Sequence, residues 1–256
     1  MARRFPAMML VLAGCAALAS ASVCAEHLYI TTEHSPPSSM LQNGEVVGSA
    51  TEKVRELLAR AGIDYTIDLL PWKRAYALAQ QRADTCVYST TRTPERESLF
   101  KWVGPTDEGE WVLFGRAGRD YKLSALADAR PLLIGTYSGD ARDEYLRTRG
   151  FRVEPVQDDV SNPRKLLIGR VDLWAVAVRK GNAALVQSDW SNEIVPVLTF
   201  NRVKVYLACN LKLPDATIAR MNLALASMQK DGSTRRIEQK YDRKTEEKVT
   251  GKSVPP

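Results

Sequence analysis

Histidine occurs twice in this sequence of 256 residues, at His27 and His34, and no motif pairs either with a serine or cysteine nucleophile. Metal-ligand spacing and a glycine-rich phosphate loop are also absent, so no cofactor and no metal are expected, and the common hydrolytic and nucleotide-dependent chemistries lack their usual residues. Internal repetition at a fixed period is missing, as is any long linker. Basic residues near the end, at Arg235-Arg236 and from Lys244 to Lys248, are interleaved with acids. That pattern describes a solvated face and excludes a nucleic-acid stripe.

What remains is ordinary in bulk, with 45% hydrophobic and 26% charged residues, as in a soluble globular protein of one large or two medium domains. The first 25 residues carry Arg3 and Arg4, then a small-residue-rich apolar run too short for a stable membrane span. Val23-Cys24-Ala25 follows as a small-x-small cleavage pattern, so the segment reads as an export signal cut after Ala25. Leu12-Ala13-Gly14-Cys15 also fits a lipoprotein signal, which makes anchoring at Cys15 the alternative to a free periplasmic protein. Cleavage after Ala25 lowers the formal charge from +6 to +4, because two arginines leave with the signal. Cys15 and Cys24 leave as well. Cys86 and Cys209 remain, an even count in an oxidising compartment that favours a disulfide over two buried thiols.

Along the mature chain, Leu28–Thr32 reads as a strand stopped by Ser35-Pro36-Pro37, and Asn43-Gly44 as a turn. Residues 50–60 form an amphipathic helix ended by Gly62. Strands at 65–70 and 85–88 flank a helix at 72–80, giving the βαβ rhythm of a parallel sheet. The pattern restarts after Pro105, with strands at 111–114, 131–135, 151–153 and 171–176 and helices at 140–148 and 162–168. A strand at 203–209 and a helix at 214–231 close the chain. They form no third sheet, so this last segment is expected to return to the first unit.

These features resemble the family 3 extracellular solute-binding proteins, the polar amino-acid-binding type of the bacterial periplasm. The resemblance rests on Pro36-Pro37 with Gly44 and Gly48, on Ala83-Asp84-Thr85-Cys86 leading to Ser89-Thr90-Thr91 and Thr93-Pro94-Glu95-Arg96, on Gly169-Arg170-Val171-Asp172, and on the closing Asp231-Gly232 to Lys240-Tyr241. It implies an α/β, two-lobed type II periplasmic binding fold in which each lobe is a small, mainly parallel sheet flanked by helices. Lobe 1 would comprise residues 26–107 and 202–245, lobe 2 residues 108–201, and residues 246–256 a tail. Hinges are expected near Thr106-Asp107 and Asn201-Arg202.

By the same resemblance Arg96 grips the ligand's carboxylate with its planar fork of donors, and Tyr88, Ser89 and Thr91 stand at the strand end beside it. Trp72 falls where an aromatic stacks on the ligand. Glu33 and Asp140 are the candidate negative groups, and Asp140 has a second reading as a helix cap. Two departures are visible: Ala175-Val176-Ala177-Val178 offers no acid for a ligand ammonium, and Ser38-Ser39-Met40 replaces an aromatic wall. The implied role is capture of a small anionic or zwitterionic metabolite by a monomer, without catalysis, for uptake through an ABC permease. A sensing protein without a transporter and a dehydratase-like enzyme are the alternatives. The resemblance also sets the returning strand antiparallel beside the strand with the polar run, which would bring Cys86 against Cys209.

Overall fold

The computed structural model describes residues 26–250, with side chains through Asp242; the expected signal segment and Cys15 lie outside the described residues. Strand β1 (His27–Thr32) buries Leu28 and Ile30 completely. A tight Asn43-Gly44 turn, both residues at positive φ, closes the small hairpin β2 (Met40–Gln42) and β3 (Glu45–Val47). Helix α1 (Ser49–Ala61) follows, and Gly62 in the left-handed region ends it by donating to the Ala59 and Leu58 carbonyls. Strand β4 (Asp64–Leu69), helix α2 (Trp72–Gln81) and strand β5 (Thr85–Thr91) complete the first unit, with β1 parallel to both β4 and β5.

Strand β6 (Lys101–Arg116) leads into β7 (Leu133–Tyr137), α3 (Ala141–Thr148), β8 (Arg152–Val156), α4 (Asn162–Leu167), β9 (Leu173–Ala177) and α5 (Val178–Gln187). Strand β10 (Ile194–Cys209) then returns, and α6 (Asp215–Lys230) and α7 (Ser233–Thr250) finish the described chain. The strands lie in the order β4-β1-β5-β10-β6-β9-β7-β8. Strands β6 and β10, each 16 residues long, pair antiparallel from Ile194 opposite Arg116 to Cys209 opposite Lys101. One end of this ribbon belongs to each lobe. Val103, Leu207 and Cys209 enter a core with Leu57, Tyr88 and Met221, whereas Val112 and Phe114 enter another with Trp174 and Leu185.

The sequence reading placed separate short strands at 111–114 and 203–209; both are ends of the long ribbon. Their shared middle has no core on either side, and its residues from Gly104 to Glu110 are mostly half-buried, so it carries no apolar alternation to read. Helix α5 also escaped that reading. The last helix runs to Thr250, past the expected tail boundary at 246. Among the described residues no helix is long and apolar enough to cross a membrane.

Cys86 and Cys209 face each other across β5 and β10 and are joined, with Cα atoms 4.0 Å apart. Asn210 N–H donates to the Thr85 carbonyl, which makes theirs a non-hydrogen-bonded pair, the closer of the two antiparallel arrangements.

Gly48 sits at φ 135° between β3 and α1, and a Cβ there would lie 2.2 Å from the Ser38 carbonyl oxygen. Backbone cannot swing aside as a side chain can. Gly48→Ala is therefore expected to lower stability by about 2–4 kcal/mol, from the strained φ together with overpacking. A urea melt with a midpoint equal to that of the parent would contradict this.

Candidate functional site

The two lobes meet over a cleft at the end of β5, floored by the middle of the β6–β10 ribbon. Its lobe 1 wall carries Glu33, Ser35, Ser38, Ser89 and Thr91; its lobe 2 wall carries Asp140, Arg142, Arg179 and Lys180.

A β-bulge shapes the lobe 1 wall. Val87 stands opposite Ala208 and Thr90 opposite Tyr206, so two residues, Tyr88 and Ser89, face the single residue Leu207. Ser89 takes φ 59°, uncommon for a residue with a side chain, and lies on the cleft wall. Thr90 turns back and donates to the Val87 carbonyl at 3.2 Å. Thr91 lines the cleft again. Tyr88 points the other way: it is 1% exposed, its hydroxyl lies 2.7 Å from Thr51 Oγ1, and burial pushes its pKa up to about 12.

The lobe 2 wall is built at the turn from β7 into α3. Asp140 caps α3 by accepting from the Arg142 N–H at 2.7 Å, and its two carboxylate oxygens also take the Arg142 Nε and Nη2 protons at 2.6 and 2.8 Å. Burial alone would raise the Asp140 pKa; the Arg142 charge and its hydrogen bonds hold it at about 2. Of the two readings left open for Asp140, the cap is formed. The carboxylate also reaches the cleft, but already paired.

Beside this pair lies a second charged group. Lys180 Nζ stands 3.5 Å from Glu33 across the lobes and 3.4 Å from Asp159, and 4.9 Å from the centre of the Tyr137 ring. Burial works against the Lys180 ammonium, yet Glu33 and Asp159 together hold its pKa above the ordinary lysine value. Burial raises the Glu33 pKa above the ordinary carboxyl range, and Lys180 offsets only part of this. The sign follows. Below its unfolded pKa Glu33 is protonated in both states and its contribution is fully present; as pH rises toward the raised folded pKa, folding opposes ionisation and stability falls. Glu33→Gln is expected to lose less stability than the parent between pH 4.5 and pH 7, measured by urea unfolding at both pH values. Parallel slopes would refute the assignment.

Arg96 and Trp72 take part in a contact between lobes and are not on the cleft wall. Arg96, 3% exposed, lies over the Tyr76 ring at 4.9 Å and donates from Nη2 to the Gly139 carbonyl at 3.2 Å, with Glu144 at 3.4 Å from Nε. Trp72 Nε1 donates to the same carbonyl at 2.9 Å, its ring packed against Tyr76. Thus four of the expected site residues, Glu33, Ser89, Thr91 and Asp140, come together on the cleft wall, whereas Arg96, Trp72 and Tyr88 do not. These placements have physical reasons: the bulge sends Tyr88 into the core, and the Gly139 carbonyl, at a residue with φ 79°, accepts from both remaining donors. Arg142, Lys180 and Asp159 were not foreseen. Arg142 stands two residues after the expected cap, which was the one local sign available. Among the described residues no group of three or more His, Cys, Asp or Glu side chains is placed to hold a metal ion.

A cleft walled by two α/β lobes on a two-strand ribbon agrees with a sequence profile. That of the bacterial extracellular solute-binding proteins, family 3, matches residues 28–244. The chain belongs to this family. Its fold is that of the type II periplasmic binding proteins, and its role is solute binding. It is similar to the L-cystine-binding protein of Escherichia coli (strain K12), at 24% identity over 212 residues covering 80% of this chain and 78% of that protein. Among solved structures, a histidine kinase sensor domain with similarity to periplasmic binding proteins superposes with a TM-score of 0.77 at 20% identity, covering 84% of this chain and 95% of that one. An ancestral arginine-binding protein bound to arginine gives 0.72 at 20% identity, covering 84% and 98%.

Proposed function

We propose that this solute-binding protein is exported to the periplasm and there captures a small, carboxylate-bearing, amino-acid-like ligand between its lobes, for uptake through an ABC-type permease. The observation that carries the reading is the cleft wall, where largely buried charges of both signs, Arg142 and Lys180 against Glu33 and Asp140, stand beside the hydroxyls of Ser89 and Thr91. A zwitterion presents the two signs that such a wall complements. The E. coli relative's L-cystine and the arginine of the ancestral structure are ligands of this kind. Catalysis forms no part of the reading, which is supported by the match to a family of solute-binding proteins and by the similarity to a cystine-binding protein.

Lobe 1 is taken as residues 26–107 and 202–245, with closure about the ribbon near Thr106-Asp107 and Asn201-Arg202. A thermal-shift panel of the common amino acids with L-cystine, organic acids and short peptides tests the capture. One member at 100 times its Kd is expected to stabilise the fold by about 2.7 kcal/mol. A panel in which no compound moves the melting temperature would overturn the reading. Small-angle scattering with the stabilising compound should show a more compact particle than without it.

A further inference from the structure

We infer that lobe 2 carries its own stand-in for the ligand: Glu144 and Lys180, with the Gly139 carbonyl, latch the lobes together in the ligand-free protein, so that capture begins from an open form and competes with the latch. This rests on the capture reading above. Two largely buried charges of lobe 1 face lobe 2, and each meets the opposite sign there. Arg96 has Glu144 of α3 at 3.4 Å from Nε and donates from Nη2 to the Gly139 carbonyl at 3.2 Å. Glu33 has the Lys180 ammonium of α5 at 3.5 Å. A carboxylate and an ammonium are the two groups that an amino-acid-like solute would present to the same pair.

The contact depends on close approach. The Gly139 carbonyl also accepts from Trp72 Nε1, at the start of α2, at 2.9 Å, so one lobe 2 carbonyl takes two lobe 1 donors. A Cβ at Gly139 would lie 3.1 Å from Lys73 Cγ, so a larger residue there would press α2 away. In this arrangement the charged cleft encloses about 130 Å³, whereas clefts that hold small ligands enclose roughly 300–1,000 Å³. Latch and ligand therefore exclude each other. The latch is also weak: both ion pairs are long, and Glu144 keeps 42% of its side chain in solvent. The free protein accordingly divides between latched and open forms, and the observed Kd is the intrinsic one divided by the open fraction.

The test is small-angle scattering of the free protein, joined to calorimetry with the amino acid that stabilises the parent most in the panel. Glu144→Ala removes the carboxylate, and Trp72→Phe removes one donor from the Gly139 carbonyl; neither side chain is on the cleft wall. Arg147→Ala, on the same helix as Glu144, breaks a pair with Asp143 inside lobe 2 and serves as the control. Without ligand, Glu144→Ala, and more so its combination with Trp72→Phe, is expected to have a larger radius of gyration than the parent. Both should bind the amino acid about 2- to 3-fold more tightly, as an open fraction of one half to one third rises toward one. Arg147→Ala should match the parent in radius and affinity. Equal radii for the free parent and the double variant would overturn the latch, as would the same expansion in Arg147→Ala. Should Trp72→Phe not fold, Glu144→Ala alone is held to that comparison. Expanded variants that bind no more tightly than the parent would overturn the competition and leave capture standing. If no panel member binds the parent or the variants, the capture reading falls, and the radii of the free proteins alone decide the latch.

Discussion

Replacing Cys86 and Cys209 together by alanine is expected to lower the unfolding free energy by about 4–5 kcal/mol. The bond spans a sequence separation of 123 residues and encloses the whole of lobe 2. In the chain-entropy account, cutting a link of that length releases a large set of unfolded conformations that the oxidised chain cannot visit. The native side adds to this. Both half-cystines are completely buried in the lobe 1 core with Tyr88, Val103 and Leu207, so alanine leaves unfilled space there. The pair also ties the last residue of β10 to β5 three positions before Ser89, so the strand bearing the cleft hydroxyls is secured to the strand that returns from lobe 2. Urea unfolding of the oxidised parent, the reduced parent and the double variant checks the claim. Midpoints within about 1 kcal/mol of one another would contradict it.

The second large effect is expected at Lys53. This lysine is 1% exposed on α1, and its ammonium donates to the Thr106 carbonyl at 3.1 Å and to Glu238 of α7 at 2.6 Å, with Asp107 at 3.4 Å. It joins three segments distant in sequence: the first helix, the ribbon where the lobes hinge, and the last helix. From lobe 2, Arg179 approaches the same Asp107 at 3.9 Å and reaches Asp242 of α7 at 3.5 Å. Lys53→Met keeps the length of the side chain and removes the charge. Glu238 and Asp107 are then left without their buried partner, and breaking such a pair costs about 3 kcal/mol, toward the low end because both carboxylates retain some solvent. Lys53→Met with Glu238→Gln should recover part of the loss, since the orphaned charge goes too. Two single-variant losses that simply add in the double variant would show that the contact carries no energy of its own.

Much of the architecture was already determined by sequence. The alternation of β-branched runs with helices closed by glycine dictates two α/β units, because periodicity records which face of each element is buried. The disulfide follows from arithmetic: two cysteines in a chain that reads as exported have only each other. Asp140 stands where an acidic residue caps a helix, and it does so through a neighbour two residues away. In the same way Ser89 and Thr91 are named by their place at the end of β5.

Only the tertiary structure decided which charges share the cleft. Glu33, Asp159 and Lys180 meet across gaps of more than 20 to almost 150 residues, and no local pattern marks a lysine that will pair with carboxylates from two lobes. Which of two arginines lines the cleft has the same origin. Arg96 and Arg142 both follow a strand-end turn, but the Gly139 carbonyl faces one and the cleft faces the other, which depends on how the lobes pack. Tyr88 belongs to the core because of one extra residue in β5, and that register is set against β10, more than 100 residues further along. Burial on one's own element is a local property that residue spacing encodes; the side chain met across a cleft is fixed only when distant strands settle their register.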